Sequence, residues 1–236
     1  MTDLHTHILP EMDDGAKTVQ ESLDMLAAQY SQGVDTVVLT PHFYPHREDA
    51  DQFLARRQKS VETLRQAIDA LPDQGEQLPR LVLGAEVAWR SDLLECERLN
   101  ELCIGNTSNL LLELPFKPWS NLMIDQLYEL IGRTGVRPVI AHLDRYLGLQ
   151  SSGLLNEIMN LGAPVQVGTD ILMRPLHRRK ALNLLKTGRA HFVASDCHDC
   201  VKRPPNLASA IGFLRGKLEK WQVEEMIRCA DKLIEA

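Results

Sequence analysis

The chain is poor in aromatic residues, which make up 5% of its 236 positions. So few rings argue against a stacking platform for single-stranded nucleic acid. Basic charge is not in surplus either: 26 Lys and Arg stand against 32 Asp and Glu, a formal net charge of −6. A duplex binder shows the opposite footprint. No stretch approaches the roughly 18 consecutive apolar residues that suggest a membrane span. The first ten residues carry Asp3, His5 and His7, where a signal peptide needs a basic start and an apolar run. Cys96, Cys103, Cys197, Cys200 and Cys229 are odd in number and scattered, unlike a disulfide framework. These absences point to a cytoplasmic protein with no nucleic-acid partner.

What is present looks globular. Apolar residues account for 44% and charged residues for 25%, near the average for a packed domain. The length suits a single domain spanning 1–236, and α/β barrels of this size commonly form one. Apolar, β-branched-rich runs predict strands near Asp3–Thr6, Val34–Leu39, Leu81–Ala85, Asn109–Leu114, Arg137–Ala141, Pro164–Val167 and His191–Ala194. Helical periodicity places Val19, Leu23, Leu26, Ala27 and Tyr30 on one face of a first helix. Thr18 and Glu21 form its capping box, and Gly33 ends it. Further helices fit Asp51–Ala70, Asn121–Gly132, Leu154–Leu161, His177–Lys186 and Gln222–Ile234, and Gly148–Gly153 reads as one loop. Repeated strand–helix alternation without a linker predicts a mostly parallel α/β sheet, open or closed.

The chemistry gathers at strand ends. His5 and His7 end the first strand, with Asp14 in the Asp13-Asp14-Gly15 turn beyond it. His42 follows the second, Glu86 the third, Glu113 ends the fourth, His142 follows the fifth, and Asp196 and His198 follow the last. In (β/α) barrels the active site is built from these strand ends and the loops after them. A lone His-x-His is ordinarily surface or capping histidine, and a lone Glu after a strand is ordinarily solvated. Nine such residues at six strand ends are a different matter. Imidazole and carboxylate donors without required thiolates suit manganese, iron or zinc and argue against a structural zinc finger. Four carboxylates crowded together would repel one another and an anionic substrate. Three divalent ions would turn that charge to +2 and attract phosphate. Nine ligands also exceed what one ion can take.

The motifs in chain order resemble those of the PHP (polymerase and histidinol phosphatase) superfamily. They are Leu4-His5-Thr6-His7, Asp13-Asp14-Gly15, Thr40-Pro41-His42, Gly84-Ala85-Glu86, Leu112-Glu113, Ala141-His142-Leu143-Asp144-Arg145-Tyr146 and Ser195-Asp196-Cys197-His198. The block around Arg145-Tyr146 and the Arg203-Pro204-Pro205 segment are most similar to the CpsB/YwqE/CapC branch, manganese-dependent protein-tyrosine phosphatases of capsule and exopolysaccharide operons. The resemblance implies a distorted (β/α)7 barrel with three divalent ions, manganese foremost and iron or zinc as alternatives. His5, His7, Glu86 and Asp196 would hold one ion. Glu86, Glu113 and His142 would hold a second, and Asp14, His42 and His198 a third. Arg145 and Arg203 match family arginines beside the site and would clamp the phosphoryl oxygens. The implied partner is the phosphotyrosine tail of a bacterial tyrosine kinase, attacked by a metal-bridging hydroxide without a phosphoenzyme. A small-molecule phosphatase of histidinol-phosphate or sugar-phosphate type is the enzyme alternative. A binding regulator without turnover is the other. Two departures, Glu11 in place of a common Gly and Gly168-Thr169-Asp170 in place of Asn with small polar residues, are expected to line the mouth.

Three features compete with this reading. Cys197 and Arg203 satisfy Cys-x5-Arg, the signature of thiol-dependent tyrosine phosphatases. That chemistry needs a thiolate at a helix N-terminus, whereas here Pro204 and Pro205 follow the arginine and no Gly lies between. Arg178-Arg179-Lys180 is a run that could steer phosphorylated acidic segments, but a basic run is ordinarily a solvated helix face. Phe43-Tyr44-Pro45-His46-Arg47 reads equally as an aromatic wall for a phosphotyrosine ring or as rim packing.

Overall fold

The computed structural model describes residues 1–72 and 76–235. Its strands are β1 (Thr2–Thr6), β2 (Thr36–Leu39), β3 (His42–Phe43), β4 (Arg80–Leu83), β5 (Glu86–Ala88), β6 (Asn109–Glu113), β7 (Arg137–Ile140), β8 (Gln166–Gly168) and β9 (Phe192–Ala194). The helices are α1 (Val19–Ser31), α2 (Ala50–Asp69), α3 (Asn121–Thr134), α4 (Ser152–Asn160), α5 (Thr169–Met173), α6 (Arg178–Lys186), α7 (Leu207–Arg215) and α8 (Lys220–Lys232). Every strand pairing among the described residues is parallel.

The pairings close on themselves. β1 pairs β2 and β2 pairs β4, while β3 pairs β5, β5 pairs β6 and β6 pairs β7. Ile140 bridges to Val165 just ahead of β8, β8 pairs β9, and Thr6 bridges to Cys197 just beyond β9. The seam is held by the His7 N–H donating to the Cys197 carbonyl (2.9 Å) and the Asp196 N–H donating to the His5 carbonyl (2.8 Å). Since β2 with β3, and β4 with β5, are halves of single staves, the ring is a distorted barrel of seven, as the resemblance implies.

Two staves run further than the sequence suggests. Pro41 lacks an N–H for the ladder, so pairing lapses there and resumes at His42. At Gly84 the neighbouring stave lapses too, and the buried Arg57 guanidinium donates to the Gly84 carbonyl at 2.7 Å. His42 and Glu86 therefore sit paired to each other on strands rather than in loops. A further apolar cluster draws Leu4, Val38, Leu111, Val139, Phe192 and Ala194 from five different staves, which only the barrel interior can bring together. Ala230 and Leu233 close it from below, beside the Asn109 amide that donates to the Leu233 carbonyl (2.9 Å).

Several local expectations need correcting. The buried stripe of α1 is Ser22, Met25, Leu26 and Gln29, while Ala27 and Tyr30 are exposed. Gln29 is drawn inward because its amide donates to buried Asp3 at 2.6 Å. The capping box is half formed: Thr18 Oγ1 accepts the Glu21 N–H (3.1 Å), but the Glu21 carboxylate takes the Lys17 N–H (2.8 Å). Gly33 does follow the helix, at φ 76°. The loop at Gly148 ends earlier than predicted, because Ser151 caps α4 and the helix begins at Ser152. α7, which buries Leu207, Ala210, Ile211 and Leu214, was not anticipated.

Candidate metal centre

All nine predicted ligand residues meet at the C-terminal mouth of the barrel. His7, Asp14, His42 and His198 each offer one donor atom within 4.8 Å of the others, as do His5, His7 and Asp196, and likewise His42, Glu86 and Glu113. His142 joins through Nε2, which lies 2.8 Å from Glu86 Oε1 and 3.6 Å from Glu113 Oε1. The sharing differs in detail from the implied sets. His7 belongs to two of the groups, and His42 reaches the Glu86 carboxylate, with Nδ1 2.8 Å from Oε2.

The imidazoles are oriented from behind. His5 Nδ1 faces Gln166 Oε1 at 3.0 Å, His7 Nδ1 faces Asp13 Oδ2 at 2.7 Å, and His198 Nδ1 faces the Asp196 carbonyl at 3.0 Å. With Nδ1 donating, each ring keeps its Nε2 lone pair for the centre, the arrangement that outer partners impose on metal-binding histidines. His5 Nε2 and His7 Nε2 converge to 3.1 Å. Asp13 does more than hold His7. The same oxygen accepts the His42 N–H (2.8 Å), and its other oxygen accepts the Gly15 N–H (2.8 Å). Gly15 is required here because a Cβ would stand 2.1 Å from the His7 carbonyl oxygen. Two site residues, His142 (φ 28°) and Asp196 (φ 53°), adopt left-handed backbone, strain of a kind that collects at functional sites.

The donor set fits divalent ions. Glu86 Oε2, His42 Nδ1 and His198 Nε2 are buried and lack a hydrogen bond, although the first two lie 2.8 Å apart off the line of one. Burial would push Glu86 and Asp196 up, but the His5 imidazole in each case, with His42 beside Glu86 and His7 and Arg145 beside Asp196, holds both carboxyls well below the usual range. Burial first, and then the charge of Glu86, pushes Glu113 up to about 7. Arg145 and Arg203 both reach Asp196 Oδ2, the latter at 2.6 Å, so two guanidinium groups converge at the edge of the cluster.

Around this centre the structure bears on two of the competing features. Cys197 is fully buried, and burial pushes its thiol well up. No helix starts within the Cys-x5-Arg segment; α7 begins only at Leu207. Phe43 packs into the core against Phe53, whereas Tyr44 stacks on His42 at 5.0 Å with Arg47 over its ring. Thr169 is buried, donating to Asn206 Oδ1, and Asp170 accepts from Asn206 Nδ2 (3.2 Å). That departure braces the loop after Arg203.

Asp13, Gln166 and Phe116 escaped the sequence reading. Gln166 was visible as a polar residue inside an apolar strand, Val165-Gln166-Val167. Phe116, three residues past Glu113, stacks on His142 (6.0 Å, 21°) and Tyr146 (5.0 Å, 29°) while remaining 52% exposed.

A family model described as capsular polysaccharide synthesis, CpsB/CapC, matches residues 1–235. The chain belongs to the CpsB/CapC family. The tyrosine-protein phosphatase CpsB of Streptococcus agalactiae is 32% identical over 221 residues, covering 89% of this chain and 88% of that protein. The tyrosine-protein phosphatase YwqE of Bacillus subtilis is 30% identical over 211 residues, covering 86% and 79%. A chain from the crystal structures of YwqE from Bacillus subtilis and CpsB from Streptococcus pneumoniae, described as unique metal-dependent tyrosine phosphatases, superposes with a TM-score of 0.78 at 25% identity over 99% of this chain and 94% of that one. The phosphotriesterase homology protein of Escherichia coli shares the fold, with a TM-score of 0.53 at 14% identity over 95% of this chain and 94% of that one.

Proposed function

We propose that this member of the CpsB/CapC family is a metal-dependent protein-tyrosine phosphatase. Its substrate on this reading is the phosphotyrosine tail of a bacterial tyrosine kinase in capsule or exopolysaccharide synthesis. The observation that carries the activity is the meeting of five histidines and four carboxylates with two arginines at one barrel mouth.

His5, His7, Glu86 and Asp196 would hold one ion, Glu86, Glu113 and His142 a second, and Asp14, His42 and His198 a third. The oxygen- and imidazole-rich donor set suits manganese, with iron or zinc also compatible. Such ions, when bound, lower the pKa of coordinated water and screen charge developing on a phosphoryl group. The chain supplies the rest. Asp13, Gln166 and the Asp196 carbonyl fix the ring tautomers. Arg145 and Arg203 present planar donor forks to the phosphoryl oxygens, which suits charge spread over three of them. Phe116 offers a ring face for the aromatic leaving group. Cys197 takes no part. No helix among the described residues is long and apolar enough to cross a membrane, and a cytoplasmic site of action fits the kinase substrate.

The test joins metal analysis with phosphatase assays on wild type, His42→Ala and Cys197→Ser. Two or three ions per chain, with activity lost on chelation and in His42→Ala but kept in Cys197→Ser, are expected. Activity that needs Cys197 and survives chelation would overturn the reading. Stronger turnover of histidinol phosphate than of phosphotyrosine peptides would hand the site to a small-molecule substrate.

A further inference from the structure

α4 and α6 flank a groove of about 740 Å³ on the side of the barrel. Its wall is apolar, with Leu147, Leu155, Met159 and Leu184 contributing. Arg179, Lys180, Lys186 and Arg189 line it as well, and all four are exposed. No carboxylate lines it among the described residues, and none of the four cations takes part in an ion pair there. The contrast with the rest of the molecule is marked. The chain carries a net charge of −6, and the groove beside Phe43 is lined by Glu48, Asp49, Asp51, Asp92, Glu95 and Glu97, with Arg98 as its lone cation among the described residues.

The basic run at 178–180 is therefore not one solvated face. Arg178 turns away to cover the Phe213 ring at 4.6 Å, while Arg179 and Lys180 turn into the groove. The groove begins beside the metal centre in chain terms. Leu147 lies two residues beyond Arg145, and the Lys180 ammonium donates to the Leu147 carbonyl at 3.4 Å. At the far end Arg189 donates to Asn156 Oδ1 across the groove, tying α4 to the chain beyond α6.

We infer that this groove docks an acidic segment of the substrate protein flanking its phosphotyrosine. The inference rests on the phosphotyrosine reading above and adds a substrate class to it: acidic, or multiply phosphorylated, sequence beside the target residue. Exposed cations along a groove with a leucine-lined wall suit an extended peptide better than a flat anionic membrane, which the net negative charge of the chain would repel.

The decisive comparison uses two phosphotyrosine peptides with the same core, one flanked by a run of Asp and Glu and the other by Ser and Gly. The metal-loaded wild type is expected to show a KM about tenfold lower for the acidic peptide, the scale of two exposed ion pairs lost together. In Arg179→Glu/Lys186→Glu that preference disappears while turnover of p-nitrophenyl phosphate stays unchanged. Fluorescence anisotropy of the unphosphorylated acidic peptide reads docking without catalysis, and should show binding to wild type that salt and the double variant both abolish. Equal KM values with no anisotropy change, or a preference that survives charge reversal, would overturn the docking site. So would co-sedimentation of the wild type, but not the variant, with phosphatidylserine vesicles in the absence of peptide binding. If no phosphoester is turned over at all, the phosphatase reading fails and the anisotropy result still decides the groove.

Discussion

Asp13 Oδ2 stands 2.7 Å from His7 Nδ1, and the same oxygen accepts the backbone N–H of His42. One carboxylate thus sets the tautomer of one donor and the position of another. Burial would raise Asp13, but the neighbouring His7 imidazole holds its carboxyl well below the usual range, so it acts as an acceptor at neutral pH. Asp13→Asn presents one acceptor oxygen and one amide donor, leaving either the Gly15 N–H, or His7 Nδ1–H and the His42 N–H together, without a partner. We expect manganese affinity to fall about 10–100-fold, the usual effect of removing an outer partner. Chelator competition against wild type measures it. Unchanged affinity would show that His7 is oriented by its strand alone.

Phe116 presents a free ring face at the mouth while its other side is held by His142 and Tyr146. Stacking of a phosphotyrosine ring there is worth roughly 0.5–1.5 kcal/mol. Phe116→Ala should raise KM for a phosphotyrosine peptide by about three- to tenfold, hold kcat within about twofold, and leave glycerol phosphate hydrolysis untouched. Phe116→Tyr should restore KM. Equal losses on aromatic and alkyl substrates would mean that the ring only supports His142.

Much of this site was legible because a parallel barrel turns chain order into position. A ligand at a strand end is carried to the mouth whatever the helices between do, so His5, His142 and Asp196 could be placed together without knowing a single tertiary contact. Partners that act sideways were not legible in this way. Gln166 faces His5 only because β8 and β1 lie around the same ring, and Phe116 reaches His142 from a neighbouring loop. The error on α1 has the same origin: periodicity ranks residues by apolarity, while Gln29 is buried by a hydrogen bond to Asp3 on another element. α7 escaped because Gly212 and the two prolines ahead of it weaken a pattern whose buried spacing was otherwise helical.

Glu11 occupies a left-handed backbone at φ 59°, which explains why this position favours Gly. Its side chain is exposed, and its N–H still closes the turn onto the Ala16 carbonyl (2.9 Å). A residue with a Cβ pays about 1 kcal/mol or more there, and the larger unfolded-state freedom of Gly offsets part of the relief. Glu11→Gly should therefore gain about 0.5 kcal/mol and raise the unfolding midpoint by about 1–2 °C, with activity unchanged. A lower midpoint in calorimetry would show that the Glu11 side chain contributes more than its backbone costs.

On the proposed ligand set, protons are expected to compete with metal at Glu113. Burial and the adjacent Glu86 charge push its carboxyl up to about 7 in the metal-free protein, so it carries a proton over much of the range below neutrality. An ion takes the carboxylate, and binding must release that proton. Affinity is then expected to rise with pH up to about 7 and to flatten above it, as far as this group is concerned. Burial opposes charging of His5 and His7, but their acidic neighbours (Glu86 and Asp196 for His5, Asp13 for His7) outweigh it and raise both, so their protons steepen the same trend. Replacing Glu113 by Gln removes one titrating group. The slope of log affinity against pH between 6 and 7 should drop by up to one, while affinity at pH 8 falls outright. Manganese titration of the metal-free protein, repeated in buffers of different ionisation enthalpy, counts the protons released. A slope that is the same in wild type and Glu113→Gln would place the competing proton elsewhere in the cluster.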